Sequence, residues 1–279
     1  MTEIADPVPQ LDLRFVRRGN RSVIDRRLFS WPFTLTRGFH LDRAPAHMLT
    51  LITQTTSGAL HADDHLVQRL HIGSAAAAHV TTQGATAVHR AKDGMEARER
   101  VMLTVDRGGY LEFLPEPKIL FPESALHQSI EITCDPEGAA AFSDAFLMHD
   151  PDHSGRTFRH FTSETTVHGT AGETLLLDRL ELDEWPAWHG RCGDFQAFGT
   201  FYALLPKPLK FLESLCTAAT AALADVAGLY AAASVLPGSI GISLRLAACN
   251  GGALRRGLDL GWIESRKAMT DEAPPSRRK

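Results

Sequence analysis

The chain has 279 residues, 44% hydrophobic and 22% charged, with a formal net charge of −4. That is enough apolar surface for a sizeable core and too much for a disordered chain. It also lacks the basic excess of a nucleic-acid binder, because its basic pairs (Arg17-Arg18, Arg26-Arg27, Arg255-Arg256) are scattered.

The first ten residues, "MTEIADPVPQ", are acidic and broken by prolines, and read as a flexible N-terminus without the layout of a signal peptide. No window supplies the ~18 apolar residues of a membrane helix, so the expectation is a soluble cytoplasmic protein. Four cysteines (Cys134, Cys192, Cys216, Cys249) stand far apart with no Cys-x-x-Cys pair, which gives neither a disulfide framework nor a structural zinc site.

From residue 11 the pattern is β. Leu11, Leu13 and Phe15 alternate in "LDLRFVRR" (11–18), and 48–56 is a β-branched apolar run. In "HLVQRLHI" (65–72), Leu66, Leu70 and Ile72 share parity with Gln68. Val101, Leu103 and Val105 share one face of 99–106, as do Ile130, Ile132 and Cys134 of 127–134. The runs 174–183 and 195–205 continue the series, separated by Gly, Pro, Asp and Ser clusters. The period then changes. Leu212, Leu215, Ala219, Ala222, Val226 and Leu229 recur at helical spacing and predict a helix over 207–234. Residues 239–247 return to a strand, and Leu254, Leu258 and Trp262 mark a second helix over 250–269. The predicted fold is mainly β: a layered β-sheet body over residues 11–269 with two C-terminal α-helices packed on it, then a disordered tail at 270–279.

Chemistry-bearing motifs are scarce. Walker, Gly-x-Gly-x-x-Gly, His-Glu-x-x-His and Gly-x-Ser-x-Gly patterns are absent. "HADDH" (His61, Asp63, Asp64, His65) and "HDPDH" (His149, Asp150, Asp152, His153) carry metal-ligand chemistry, but the same residues also suit solvated loops. A metal-dependent hydrolase would use His61, Asp64, His65 and Glu116. Trp185 and Trp188 in "WPAWHG" could form an aromatic face for a sugar. "LEFLPEPKILF" (111–121) sets Glu116 between two prolines with Glu112 upstream, and the two carboxyls could in principle serve as acid and base. Because proline cannot donate to a central ladder, this segment is expected at an edge, bend or crossover with its carboxylates exposed. In "VTTQGATAVHRA" (80–91), strand alternation puts Thr81 and Gln83 on one face and Thr82 and Gly84 on the other. The row suits a wet channel, a crowded joint or a half-exposed strand.

The order of these pieces resembles the urease accessory protein UreD (UreH) family. The match runs over roughly residues 13–265. Its Thr-Thr-Gln-x-Ala-Thr run corresponds to Thr81, Thr82, Gln83, Ala85 and Thr86. Its Leu-Pro-acidic-Pro-x-Ile-x-Phe run corresponds to Leu114, Pro115, Glu116, Pro117, Ile119 and Phe121. The chain departs from the family at Ala62-Asp63-Asp64, where Gly-Gly-Asp is usual, and at Ala87 and His89, where Lys and Tyr are usual. The resemblance implies a non-enzymatic scaffold that binds apo-urease subunits, recruits UreF and through it the GTPase UreG, and assists nickel delivery. It implies no tightly bound cofactor, only nickel in transit. Channel or partner contacts would then fall on Asp64, Thr81, Thr82, Gln83, Glu112, Pro115, Glu116 and Pro117, with transient ligation by His61, Asp64, His65 and Glu116.

Overall fold

The structure, a computed structural model, describes residues 8–92, 94–183, 194–206 and 211–276. A hairpin of β1 (Leu11–Arg18) and β2 (Arg21–Phe29) leads through β3 (Phe33–Leu35) and β4 (Leu49–Thr55) into three winding turns. The first comprises β5 (Ala59–Leu60), β6 (His65–Ile72) and β7 (Ala77–Thr82). The second comprises β8 (Thr86–Val88), β9 (Ala97–Val105) and β10 (Tyr110–Phe113). The third comprises β11 (Lys118–Leu120), β12 (Ala125–Cys134) and β13 (Ala139–Met148). Then come β14 (His160–His168), β15 (Thr174–Asp183), β16 (Ala197–Leu204), α1 (Leu212–Ala224), β17 (Leu229–Val235), β18 (Gly241–Ala248) and α2 (Gly251–Thr270).

Each turn contributes parallel strands to two facing sheets. The seven-stranded sheet runs β15-β14-β12-β9-β6-β1-β2; the eleven-stranded sheet runs β17-β18-β16-β13-β10-β7-β4-β3, with β5, β8 and β11 beside that path. Leu66 pairs with Glu99, and Val101 with Ile130, so a turn takes about 30 residues without a fixed length. That explains why no exact repeat is visible in the sequence.

The main core lies between the sheets. Leu13, Leu70, Leu103 and Ile132 of one sheet meet Leu51, Val80, Leu111 and Phe142 of the other. Each fully buried side chain of this size contributes roughly 1.5–3 kcal/mol. A second core lies on the opposite face of the larger sheet, where Leu215, Ala219, Leu254, Leu258 and Trp262 of the helices cover Phe201, Ile242 and Leu244. The expected β body with two packed helices is therefore observed. α2 starts at Asn250, whose side chain accepts the Ala253 N–H at 2.9 Å. Gly257 and Gly261 let it approach the sheet: a Cβ there would meet Leu246 Cδ2 at 2.5 Å and Leu244 Cδ1 at 2.6 Å, respectively.

Several local expectations are corrected. The helix expected over 207–234 is confined to Leu212–Ala224; Gly228, at φ 73°, turns the chain, and Leu229–Val235 forms a strand against β18. The alanine-rich run satisfies either period, and strand pairing decides. Residues 80–91 do not form one strand: β7 ends at Thr82 and β8 begins at Thr86. "LEFLPEPKILF" bends as expected but lies at no edge, because β10 sits between β7 and β13, and β11 between β8 and β13. Proline is tolerated there because the ladder is interrupted at that point.

Candidate functional site

These interruptions align. β7 gives way to β8 across Gln83–Ala85, and β10 to β11 across Leu114–Pro117. β13 runs past both, pairing with β10 through Phe142 and resuming with β11 at Phe146. The larger sheet is therefore breached between Gln83–Ala85, Leu114–Pro117 and Ser143–Ala145. The two sequence motifs form the rim and brace each other across β7 and β10. Thr81 Oγ1 donates to the Leu114 carbonyl at 2.6 Å, and the Glu116 backbone N–H donates to Thr82 Oγ1 at 2.9 Å. Thr82 Oγ1 in turn donates to the Gly84 carbonyl at 3.0 Å.

Three cavities meet around this breach. The central one, about 410 Å³, lies between the sheets and is lined by Thr82, Gln83, Glu99, Pro115, Glu116, Lys118, Gln128 and Asp144, among others. A second, about 320 Å³, lies on the helix side between His79, Thr81, Pro117, Arg255 and Trp262, reaching Pro274–Ser276; it shares Pro115, Glu116 and Ser143 with the first. A third, about 300 Å³, continues from Asp144 toward Asp178, Tyr202 and Arg245. Together they line a route from α2 through the breach into the intersheet space, its walls mixed, with apolar surface predominating and polar side chains set into it.

Charge along this passage is balanced locally. Glu116 lies 3.3 Å from Arg255 on α2. In the central cavity Lys118 Nζ is 2.5 Å from Glu99 Oε2, and Glu99 Oε1 accepts from Gln68 at 3.0 Å. Asp144 accepts hydrogen bonds from Gln128 and Ser163; burial raises its carboxyl above the ordinary value despite these bonds. Asp178 accepts from Arg245 at 2.5 Å and from the Tyr202 hydroxyl.

Glu112 has a different role and lines none of these three cavities. The exposed carboxylate expected there is instead fully buried. It accepts from Arg266 Nε at 2.6 Å and Nη2 at 2.5 Å, from Tyr110 Oη at 2.7 Å and from His79 Nδ1 at 2.7 Å. Arg266, itself fully buried, also donates to Asp42 at 2.8 Å and to the Ala44 carbonyl at 2.9 Å. Burial disfavours the Glu112 charge, but the hydrogen bonds and charges of His79 and Arg266 outweigh it and hold the carboxyl well below the usual range. This cluster fastens α2 to the strands that carry the breach.

The other predicted residues lie elsewhere. His61 and His65 are exposed, and Asp64 accepts the His61 backbone N–H at 2.7 Å, closing a turn. None of the three lines the passage cavities. His61 stacks on His89 at 4.9 Å, and Phe121 lies between His89 and His149, so these side chains form a column along successive turns. Asp150 caps the loop that follows through Ser154 and Gly155. Among the described residues, the one group of three ligand types whose donor atoms lie within 4.8 Å of each other is His160, Glu181 and Asp183. The hydrolase constellation of His61, Asp64, His65 and Glu116 is not gathered in this way. Trp185 and Trp188 lie outside the described residues.

The sequence reading missed Glu99, Lys118, Gln128 and Asp144. A signal was present: Glu99 and Gln128 share parity with the apolar residues of their strands, as Gln68 does, and Glu99, Gln128 and Ser163 are neighbours across β9, β12 and β14. Polar residues recurring on the inward face mark a wet interior.

The profile of the family described as "UreD urease accessory protein" matches residues 8–279. The chain belongs to the UreD family. Its curated relatives include urease accessory protein UreD 2 of Bradyrhizobium sp. (strain BTAi1 / ATCC BAA-1182), 48% identical over 261 residues, covering 93% of this chain and 90% of the relative. UreD 1 of Methylorubrum extorquens (strain PA1) is 34% identical over 273 residues, covering 97% and 91%. UreD 1 of Pseudomonas syringae pv. syringae (strain B728a) is 34% identical over 261 residues, covering 92% and 90%. Membership assigns this UreD-family chain to urease maturation, and the family's two motifs here are the rim of the breach. No helix among the described residues is long and apolar enough to cross a membrane.

Proposed function

We propose that the chain is a urease-maturation scaffold that binds apo-urease, recruits UreF and through it UreG, and passes nickel through its interior toward the urease active site. It acts without turnover of its own and holds nickel only in transit, in the cytoplasm. The observation that carries this reading is the chain of cavities through the breached sheet, with Glu116 at the junction of two of them and Asp144 at the next. Oxygen donors such as these hold a borderline divalent ion less tightly than imidazole does. A conduit must hold its cargo weakly enough to release it, which suits carboxylates that already have protein partners. Pro115 and Pro117 fix the bend, Thr82 holds its backbone, and Gln83 lines the same cavity.

Co-expression of the tagged chain with a UreF homologue and the urease subunits tests the assembly role. A defined complex by light scattering, active in urease activation at limiting nickel, is expected. A well-folded monomer indifferent to both partners would sink the reading.

A further inference from the structure

A cation conduit is an unexpected place for a buried ammonium group. Lys118 nevertheless points into the central cavity from β11, with its side chain only 12% exposed and 2.5 Å from Glu99, itself 10% exposed. Asp144 lines the same cavity, two residues before Phe146, the register partner of Lys118 on β13. Burial raises the Asp144 carboxyl, and the Lys118 charge is among the influences that oppose that shift. Around Lys118 the cavity thus presents the carboxylates of Glu99 and Asp144 and the side-chain amide of Gln128, with Glu116, paired to Arg255, at its neck. The oxygens alone are a donor set for a divalent cation. The lysine supplies the charge that such a cation would bring.

We propose that Lys118 is a tethered counter-cation that stands in for a divalent metal ion beside Glu99 in the cavity that Asp144 also lines. The ion enters the central cavity only by displacing the ammonium, and the returning ammonium expels it. This inference rests on the passage carrying cations. The physical reason is that an uncompensated pair of buried carboxylates is costly and would trap a divalent ion. A flexible lysine stem lowers that cost with a charge that cannot leave. The arrangement makes the cavity a place of short residence.

Equilibrium dialysis of the full chain against Ni2+ tests this, using the chain in complex with its co-expressed accessory partner where solubility requires it. The wild type is expected to hold no tight ion in the central cavity. Lys118→Met is expected to bind one ion at least tenfold more tightly, and the double variant Glu99→Gln/Lys118→Met to return to the wild-type level. Should Lys118→Met fail to fold, Lys118→Gln, which retains a hydrogen-bond donor for the carboxylate, carries the same expectation. Unchanged or weaker binding by the folded neutral variant would overturn the proposal. So would a tight ion in the wild type that Asp144→Asn abolishes. Urease activation by the wild-type complex is read separately: its failure would remove the transit reading, whereas the dialysis would still report whether Lys118 keeps the cavity unoccupied.

Discussion

Glu112 and Glu116 stand four residues apart in one run and serve opposite ends. Glu112 is sealed among Arg266, His79 and Tyr110, whereas Glu116 faces the passage and meets Arg255 at 3.3 Å. Arg266→Met would leave Glu112 and Asp42 buried without their main cation, so denaturant unfolding should show a loss of about 3–5 kcal/mol. The low pKa of Glu112 also fixes a pH dependence. Its contribution is fully present above the unfolded carboxyl value of about 4.3 and is lost as pH falls below it. Glu112→Gln should be less stable than the wild type at neutral pH, and the gap should narrow in acid unfolding curves. A gap independent of pH would mean that the charge is not what matters. Glu116→Gln should leave stability and assembly unchanged and lower urease activation at limiting nickel severalfold. Asp64→Ala should lose only its turn hydrogen bond, about 1 kcal/mol, with activation intact. Both glutamates were visible in the sequence because of the prolines around them. What separates them was not, since Arg266 lies 154 residues beyond Glu112 and 224 beyond Asp42.

At the scale of elements, alternation was a sound guide wherever one face is buried. The runs at 11–18, 65–72 and 174–183 are strands with those bounds. It failed for β2, where Arg21, Asp25, Arg26 and Arg27 are exposed at the edge of the sheet and leave no apolar face to read. It failed again at β17, whose alanines fit a helix as well as a strand. The breach was not legible as such, because a break in a sheet is a relation between neighbouring turns and becomes visible only when Gln83–Ala85 and Leu114–Pro117 are set side by side. Helix placement offers a sharp test. Alanine normally stabilises a helix by about 1 kcal/mol over glycine. At Gly261 the added Cβ would meet Leu244, which is fully buried, and Phe201 at 3.3 Å. Gly261→Ala should therefore destabilise by about 1–3 kcal/mol in thermal or denaturant unfolding. A gain in stability would show that α2 does not lie this close to β18.

At the scale of the whole molecule, the two cores and the buried cluster hold α2 over one mouth of the passage, so the route depends on elements from both ends of the chain. The motifs at residues 81–86 and 114–121 meet at the gap in the larger sheet, where Thr81 and Thr82 hydrogen-bond to the 114–116 backbone. The most direct test of this account narrows the neck that two cavities share at Ser143. Urease would be activated at limiting nickel by the purified complex carrying wild-type chain or Ser143→Met, with complex size checked by light scattering and nickel counted per urease site. The account predicts a complex of unchanged size that delivers several times less nickel. Full nickel occupancy through the narrowed neck, from an intact complex, would contradict it.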